Sequence, residues 1–267
     1  MLLYASCTFK FDISDFTPFL FMLRPQNNLN QFITFEEFQI KPNVEVSQFQ
    51  DIYGNFYQKL IAPPGKLRIQ SSVEVILKDN CNNAYGKEFI EIHNLPHEVL
   101  LYLLPSRYCE SDCFNQMATE ITQGLPLGYE QVLAITNWIR NNISFESNSC
   151  DIQVSAIEVN NRKYGVCRDL AHLAIALCRS ISIPSRIVVG YLYELVPMDL
   201  HAWFEVYIGD GWYRFDATQI EEKTEEITKE LKLGVASFDS INPILSKNKN
   251  IQDISKIIFD SLVTKSN

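Results

Sequence analysis

KYGVCRDLAHLAIALC, residues 163–178, sets one cysteine between a Tyr-Gly-Val turn and a long apolar run. Leu170, Leu173, Ala174, Leu177 and Ile181 keep the i, i+3, i+4 spacing of an amphipathic helix. The spacing predicts a helix from about Val166 to Ile181, stopped before Pro184. Cys167 then stands at the helix mouth, where unpaired backbone N–H groups and the helix dipole favour a thiolate. A buried structural thiol needs neither property. A nucleophilic cysteine needs, in addition, a general base and a group that holds that base in one tautomer.

Those partners are present downstream in the order Cys, His, Asp. His201 opens a strand-like segment reaching Ile208, and Asp216 lies near the end of the next, Trp212 to Ala217. Gly209-Asp210-Gly211 between them is a hairpin signal. With Asp210-Gly211 as a two-residue turn, residue 209 pairs with 212 and 205 with 216. His201 and Asp216 then share a face but lie four residues out of register, about 13 Å at ~3.3 Å per residue. A bend or bulge has to close that gap. A three-residue turn would place the two on opposite faces.

Outward from this segment, the chain divides near Pro105. Segments 2–11, 32–40, 43–50, 55–61 and 66–78 are rich in Phe, Tyr, Ile and Val, with turn chemistry between them. Residues 1–105 therefore read as a β-sandwich-like N-terminal module. Residues 106–267 read as an α+β domain: helices at 115–124, 129–142 and 166–181, then strands from Ser185, and a charged, weakly helical extension after Glu221.

The 267 residues are 46% hydrophobic and 21% charged, ordinary values for a folded chain. A net charge of −9 and a pI of about 5.0 argue against a nucleic-acid partner, which would require a basic face. No apolar run approaches the ~20 residues that span a bilayer, and no basic segment precedes the first apolar residues. Seven scattered cysteines (7, 81, 109, 113, 150, 167 and 178) suit reduced thiols. The expectation is a cytoplasmic protein with no membrane partner.

GVCRDLAHLAIALCRSISIPSRIVVGY followed by DLHAWFEVYIGDGWYRFDAT resembles the core of the transglutaminase-like superfamily, especially its bacterial members described as cysteine proteases. The matching pieces are Gly165-x-Cys167-x-Asp169, Ile183-Pro184-x-Arg186 before Gly190-Tyr191, His201-Ala202-Trp203, and Gly211-Trp212 with Phe215-Asp216-x-Thr218. Asp51, Gly54 and Asn55 also resemble the N-terminal module preceding this core in bacterial relatives. The resemblance implies a papain-like fold whose nucleophile-bearing helix packs on an antiparallel sheet. It implies Cys167 as nucleophile, His201 as base and then acid, and Asp216 orienting the imidazole. Cofactor and metal are not expected. The chemistry is acyl transfer from an amide through a thioester, with a peptide or protein substrate. Tissue transglutaminases carry Gln before the nucleophile, where this chain has Val166. Crosslinking, deamidation, removal of a glycan from asparagine, and a non-catalytic binding or scaffold role remain the alternative readings.

Around these residues, the Cys167 N–H is a candidate oxyanion donor, with Asn161, Tyr164 and Trp138 as candidates for the second. Trp203 and Tyr164 are the candidate substrate-binding residues. Asp169 suits helix capping as well as a site role, while His172 and Cys178 read as core. His93, His97, Cys109 and Cys113 have ligand types tolerable for zinc, but Pro96 separates the histidines and nothing in the sequence brings the pairs together. No acidic cluster has the form of a calcium loop.

Overall fold

The computed structural model describes residues 2–27, 31–77, 83–146, 154–192, 200–218, 230–236, 244–246 and 264–265. The first strands are β1 (Leu2–Ile13), β2 (Thr17–Arg24), β3 (Gln31–Lys41), β4 (Ser47–Gln50), β5 (Phe56–Ala62) and β6 (Gly65–Leu77). β6 pairs antiparallel with β1 on one side and β3 on the other, and β5 pairs with β2 and β4. Alternation decides which side chains meet between the two sheets. Phe9 and Phe11 of β1, Phe19, Phe21 and Leu23 of β2, Leu60 of β5, and Leu67, Ile69, Val73 and Val75 of β6 form one buried cluster. The strand-rich N-terminal module expected from the sequence is present as a sandwich. β2 was not expected, because TPFLFMLR is nearly continuous in apolar residues and carries Pro18. Its second half is buried on both faces: Met22 joins the second core while Phe21 and Leu23 fill the first.

Short 3₁₀ turns lead into α1 (Asn115–Thr122) and α2 (Tyr129–Asn142). β7 (Ser144–Phe145), α3 (Ala156–Arg162), β8 (Tyr164–Gly165) and α4 (Cys167–Ser180) follow, then β9 (Ser185–Leu192), β10 (Leu200–Ile208) and β11 (Gly211–Phe215). α4 is the central helix. Its Leu170, Leu173, Ala174 and Leu177 pack with Val132, Ile135 and Ile139 of α2, with Ile187 and Val189 of β9, and with Ala202, Phe204, Val206 and Ile208 of β10. A helix on an antiparallel sheet is thus the architecture expected. α3 was not foreseen, being too short to show periodicity. Its start is marked by a capping box in which Glu158 Oε2 accepts from Ser155 N at 2.9 Å.

The extension after Glu221 differs from the expected weak helix. Its described residues include β12 (Glu230–Ala236), β13 (Ile244–Ser246) and β14 (Thr264–Lys265). β12 adds to β9, giving the sheet order β11-β10-β9-β12, while β13 pairs with β2 and β14 with β1. Sheet edges that need a partner override weak local helix preference. The rest of that extension lies outside the described residues.

Candidate active site

Cys167 is the first residue of α4 and is partly exposed. The approach to it is fixed by Asp169, whose fully buried carboxylate faces two guanidinium groups. Arg162 Nη2 lies 2.7 Å from Oδ2 and Arg168 Nη2 lies 2.9 Å from Oδ1. The Val166 N–H donates to Asp169 Oδ2 at 3.3 Å, and Arg162 Nε donates to the Tyr164 carbonyl at 2.7 Å. Charge-assisted bonds of this kind are the strong ones. Gly165 is required by space, since a Cβ there would sit 2.9 Å from Asp169 Cβ. Tyr-Gly-Val is therefore a stapled approach that delivers Cys167 to the helix N-terminus. Helical geometry gives the Cys167 N–H no intrahelical acceptor.

The hairpin differs from the expected register by one position on each strand. Ile208 pairs with Gly211 and Phe204 with Phe215, so the turn is Gly209-Asp210. Gly209 has φ +58°, the conformation that a glycine at the first central position of a type II′ turn supplies. Continuing this register places residue 203 opposite 216, so His201 is two residues from Asp216, not four. Diagonal neighbours on one face are within side-chain reach. His201 Nε2 and Asp216 Oδ2 lie 2.6 Å apart, and the Cys167 thiol hydrogen-bonds the same ring. With Nε2 engaged by Asp216, Nδ1 is the nitrogen left for the thiol.

Asp216 is held from several sides. Oδ1 accepts from the Thr218 hydroxyl at 2.6 Å and from the Thr218 N–H at 2.8 Å. Arg214 Nη2 stands 3.4 Å from Oδ2, and Arg140 of α2 donates to the Asp216 carbonyl. Burial pushes the Asp216 carboxyl up, but the His201 hydrogen bond and charge, Arg214 and Thr218 outweigh it and hold it at about 2. Burial likewise pushes the His201 imidazole down, and the hydrogen bonds and charges of Asp216 and Cys167 overcome this and raise it to about 9. The protonated imidazole is therefore favoured by its place between a carboxylate and a sulfur.

The structure brings Cys167, His201 and Asp216 together and distributes the other candidates around them. Trp203 is not a cleft wall: it is fully buried, its ring stacked 6.2 Å from that of His201. Tyr164 is 37% exposed beside Cys167 in sequence, with Arg162 over its ring at 4.6 Å. Trp138 is half-buried beneath Lys163, and Asn161 is exposed on α3. His172 is buried and stacked on Tyr108, and desolvation holds it neutral by pushing it down to about 3. Cys178 is core, its thiol raised by burial to about 12. His93, His97 and Cys113 are exposed and Cys109 is buried. Among the described residues no three His, Cys, Asp or Glu side chains gather as a metal site. None of the described helices is long and apolar enough to cross a membrane. Sequence reasoning missed Arg140 and Arg214, which have no local pattern. Thr218 stood in the quoted motif, two residues after Asp216.

A helix-borne cysteine set against a histidine and an aspartate on an antiparallel sheet defines a papain-like class of site. Residues 115–217 match the family model described as the transglutaminase-like superfamily. The whole chain superposes on a Cytophaga hutchinsonii protein named "Putative Cysteine Protease" with a TM-score of 0.81 and 28% identity, covering 100% of this chain and 92% of that one. An uncharacterized Mycobacterium leprae protein is 32% identical over 103 residues, 36% of this chain and 37% of its own length. The uncharacterized protein YebA of Bacillus subtilis is 23% identical over 215 residues, 61% of this chain and 29% of its own. The chain thus spans about a third of the length of the curated relatives it matches.

Proposed function

We propose that this chain is a cysteine-dependent amide hydrolase, a peptidase acting on peptide or protein substrates through a thioester, with residues 106–267 as its catalytic core and extension and residues 1–105 as its β module. The observation that carries this reading is the contact of one imidazole with both the Cys167 thiol and the Asp216 carboxylate. The transglutaminase-like core and the likeness to the Cytophaga hutchinsonii protein support a cysteine enzyme in general.

In the proposed mechanism the Cys167 sulfur attacks the amide carbonyl carbon, and the oxyanion that forms is met by the Cys167 N–H. The C–N bond breaks as His201 gives its proton to the leaving amine, leaving a thioester and a neutral imidazole. His201 then takes a proton from water, whose oxygen attacks the thioester; the acid leaves and the resting Cys167–His201 pair returns. Asp216 holds Nε2–H throughout, which keeps Nδ1 directed at the sulfur. An amine replacing water would give transamidation by the same steps.

A panel of peptides, amine acceptors and glycopeptides, incubated with the wild type and Cys167→Ala, tests the reading. Peptide-bond cleavage by the wild type and none by the variant is expected. Turnover that survives Cys167→Ala would overturn it.

A further inference from the structure

We propose that Tyr53 of the N-terminal module is a positioning residue for the active site, acting on His201 through Trp203; this rests on the reading of Cys167 and His201 as a reacting pair. Trp203 is the floor of that pair. It is fully buried, its ring lies 6.2 Å from His201 at an interplanar angle of 24°, and Arg214, which contacts Asp216, lies 6.0 Å over the same indole. The indole N–H has no hydrogen-bond partner among the described residues. A buried unpaired donor lowers stability, so the site keeps the indole for its flat surface in spite of its polar atom.

A different module reaches the cluster that contains Trp203. Trp203 and Val188 form a small buried cluster against which Tyr53 packs, and Tyr53 lies 6.4 Å from Tyr102. Tyr53 sits in a turn built to hold it. Asp51 Oδ1 accepts from the N–H groups of Tyr53 at 2.8 Å and Asn55 at 2.9 Å, while Oδ2 accepts from Asn55 Nδ2 at 2.8 Å. Gln26 Nε2 donates to Asn55 Oδ1 at 2.6 Å and to the Tyr53 carbonyl at 3.3 Å. Gly54 supplies φ +81°. Both peptide groups of Tyr53 are thereby fixed by the N-terminal module, and its side chain packs against the cluster that holds the indole beside His201. The Asp51, Gly54 and Asn55 pattern thus acquires a physical role, because through it the module completes the back wall of the site.

The test uses iodoacetamide, so it needs no knowledge of the substrate. The alkylation rate of Cys167 relative to the exposed Cys113 is followed by peptide mapping across the pH range, in the full chain. The wild type labels Cys167 ahead of Cys113 near pH 6. Tyr53→Ala is expected to cut that ratio about tenfold, in line with the cost of displacing a reacting group by a fraction of an ångström, while Tyr53→Phe retains it. Should Tyr53→Ala not fold, Tyr53→Leu, which keeps apolar bulk without the flat ring, decides with the same expected loss. Ile69→Val, in the sandwich core, is the control for general loosening and keeps the wild-type ratio. A wild-type ratio in Tyr53→Ala or Tyr53→Leu, or an equal loss in Ile69→Val, overturns the inference alone. A wild type that labels Cys167 no faster than Cys113 overturns the reading of the site beneath it, and the inference with it.

Discussion

His201 and Asp216 meet at 2.6 Å because the hairpin turn falls at Gly209-Asp210, which leaves them as diagonal neighbours on one face. The pair has a pH signature. A histidine raised from 6.5 to about 9 contributes stability that is complete below 6.5 and is lost as pH climbs through 9. A carboxyl lowered from 3.8 to about 2 contributes stability present above 3.8 and lost as pH falls through 2. Thermal unfolding midpoints should therefore be highest between these limits, with declines on either side that flatten in Asp216→Asn. Parallel profiles for the two proteins would contradict the pairing. The same variant should lose activity by on the order of 10⁴-fold, the effect of releasing the base into the wrong tautomer.

Gly165→Ala tests the approach to the helix mouth. The added methyl would stand 2.9 Å from Asp169 Cβ and 3.2 Å from Leu170 Cδ1, so backbone or helix must shift. Overpacking of this kind costs about 1–3 kcal/mol, readable as a lower denaturant midpoint. The preferential labelling of Cys167 should fall in parallel, because the shift moves the sulfur away from His201. Unchanged stability would show that the site is less tightly packed than described.

Asp169→Asn removes the charge that both Arg162 and Arg168 face. Breaking a buried ion pair by altering one partner typically costs about 3–5 kcal/mol, because the remaining charges lose their compensation. Urea unfolding should show that loss. A variant as stable as the wild type would mean the two arginines find other acceptors.

The thiols should react in a set order. Cys7 and Cys178 are fully buried and raised by burial to about 11 and about 12, so both should stay unmodified in the native state at neutral pH. Cys167 should be modified first, with Cys113 following. Early labelling of Cys178 would mean that α4 opens more readily than its packing implies.

The nucleophile helix was legible because its apolar residues repeat with a helical period, and the hairpin because of its glycines. The register was not: glycines flank Asp210 on both sides, and only the positive φ at Gly209 selects the turn. Trp203 looked like a cleft residue because part of what packs against its cluster, Tyr53, lies far upstream in the N-terminal module. Arg140 reaches Asp216 from another element, a link that no local pattern records. β2 and the tail strands escaped notice for the same reason, since their structure is set by what packs or pairs with them.

The pairing of Leu3 with Lys265 and of Phe21 with Ile244 has a consequence for how the chain is made. On the ribosome β1 and β2 emerge well before β13 and β14, the strands that cover these two edges. Until those two strands appear the sandwich carries open edges, the kind of surface on which chains join one another. β13 and β14 are thus a late clasp, and a nascent chain that still lacks them should be a client for chaperones even when α4 and its sheet have already folded.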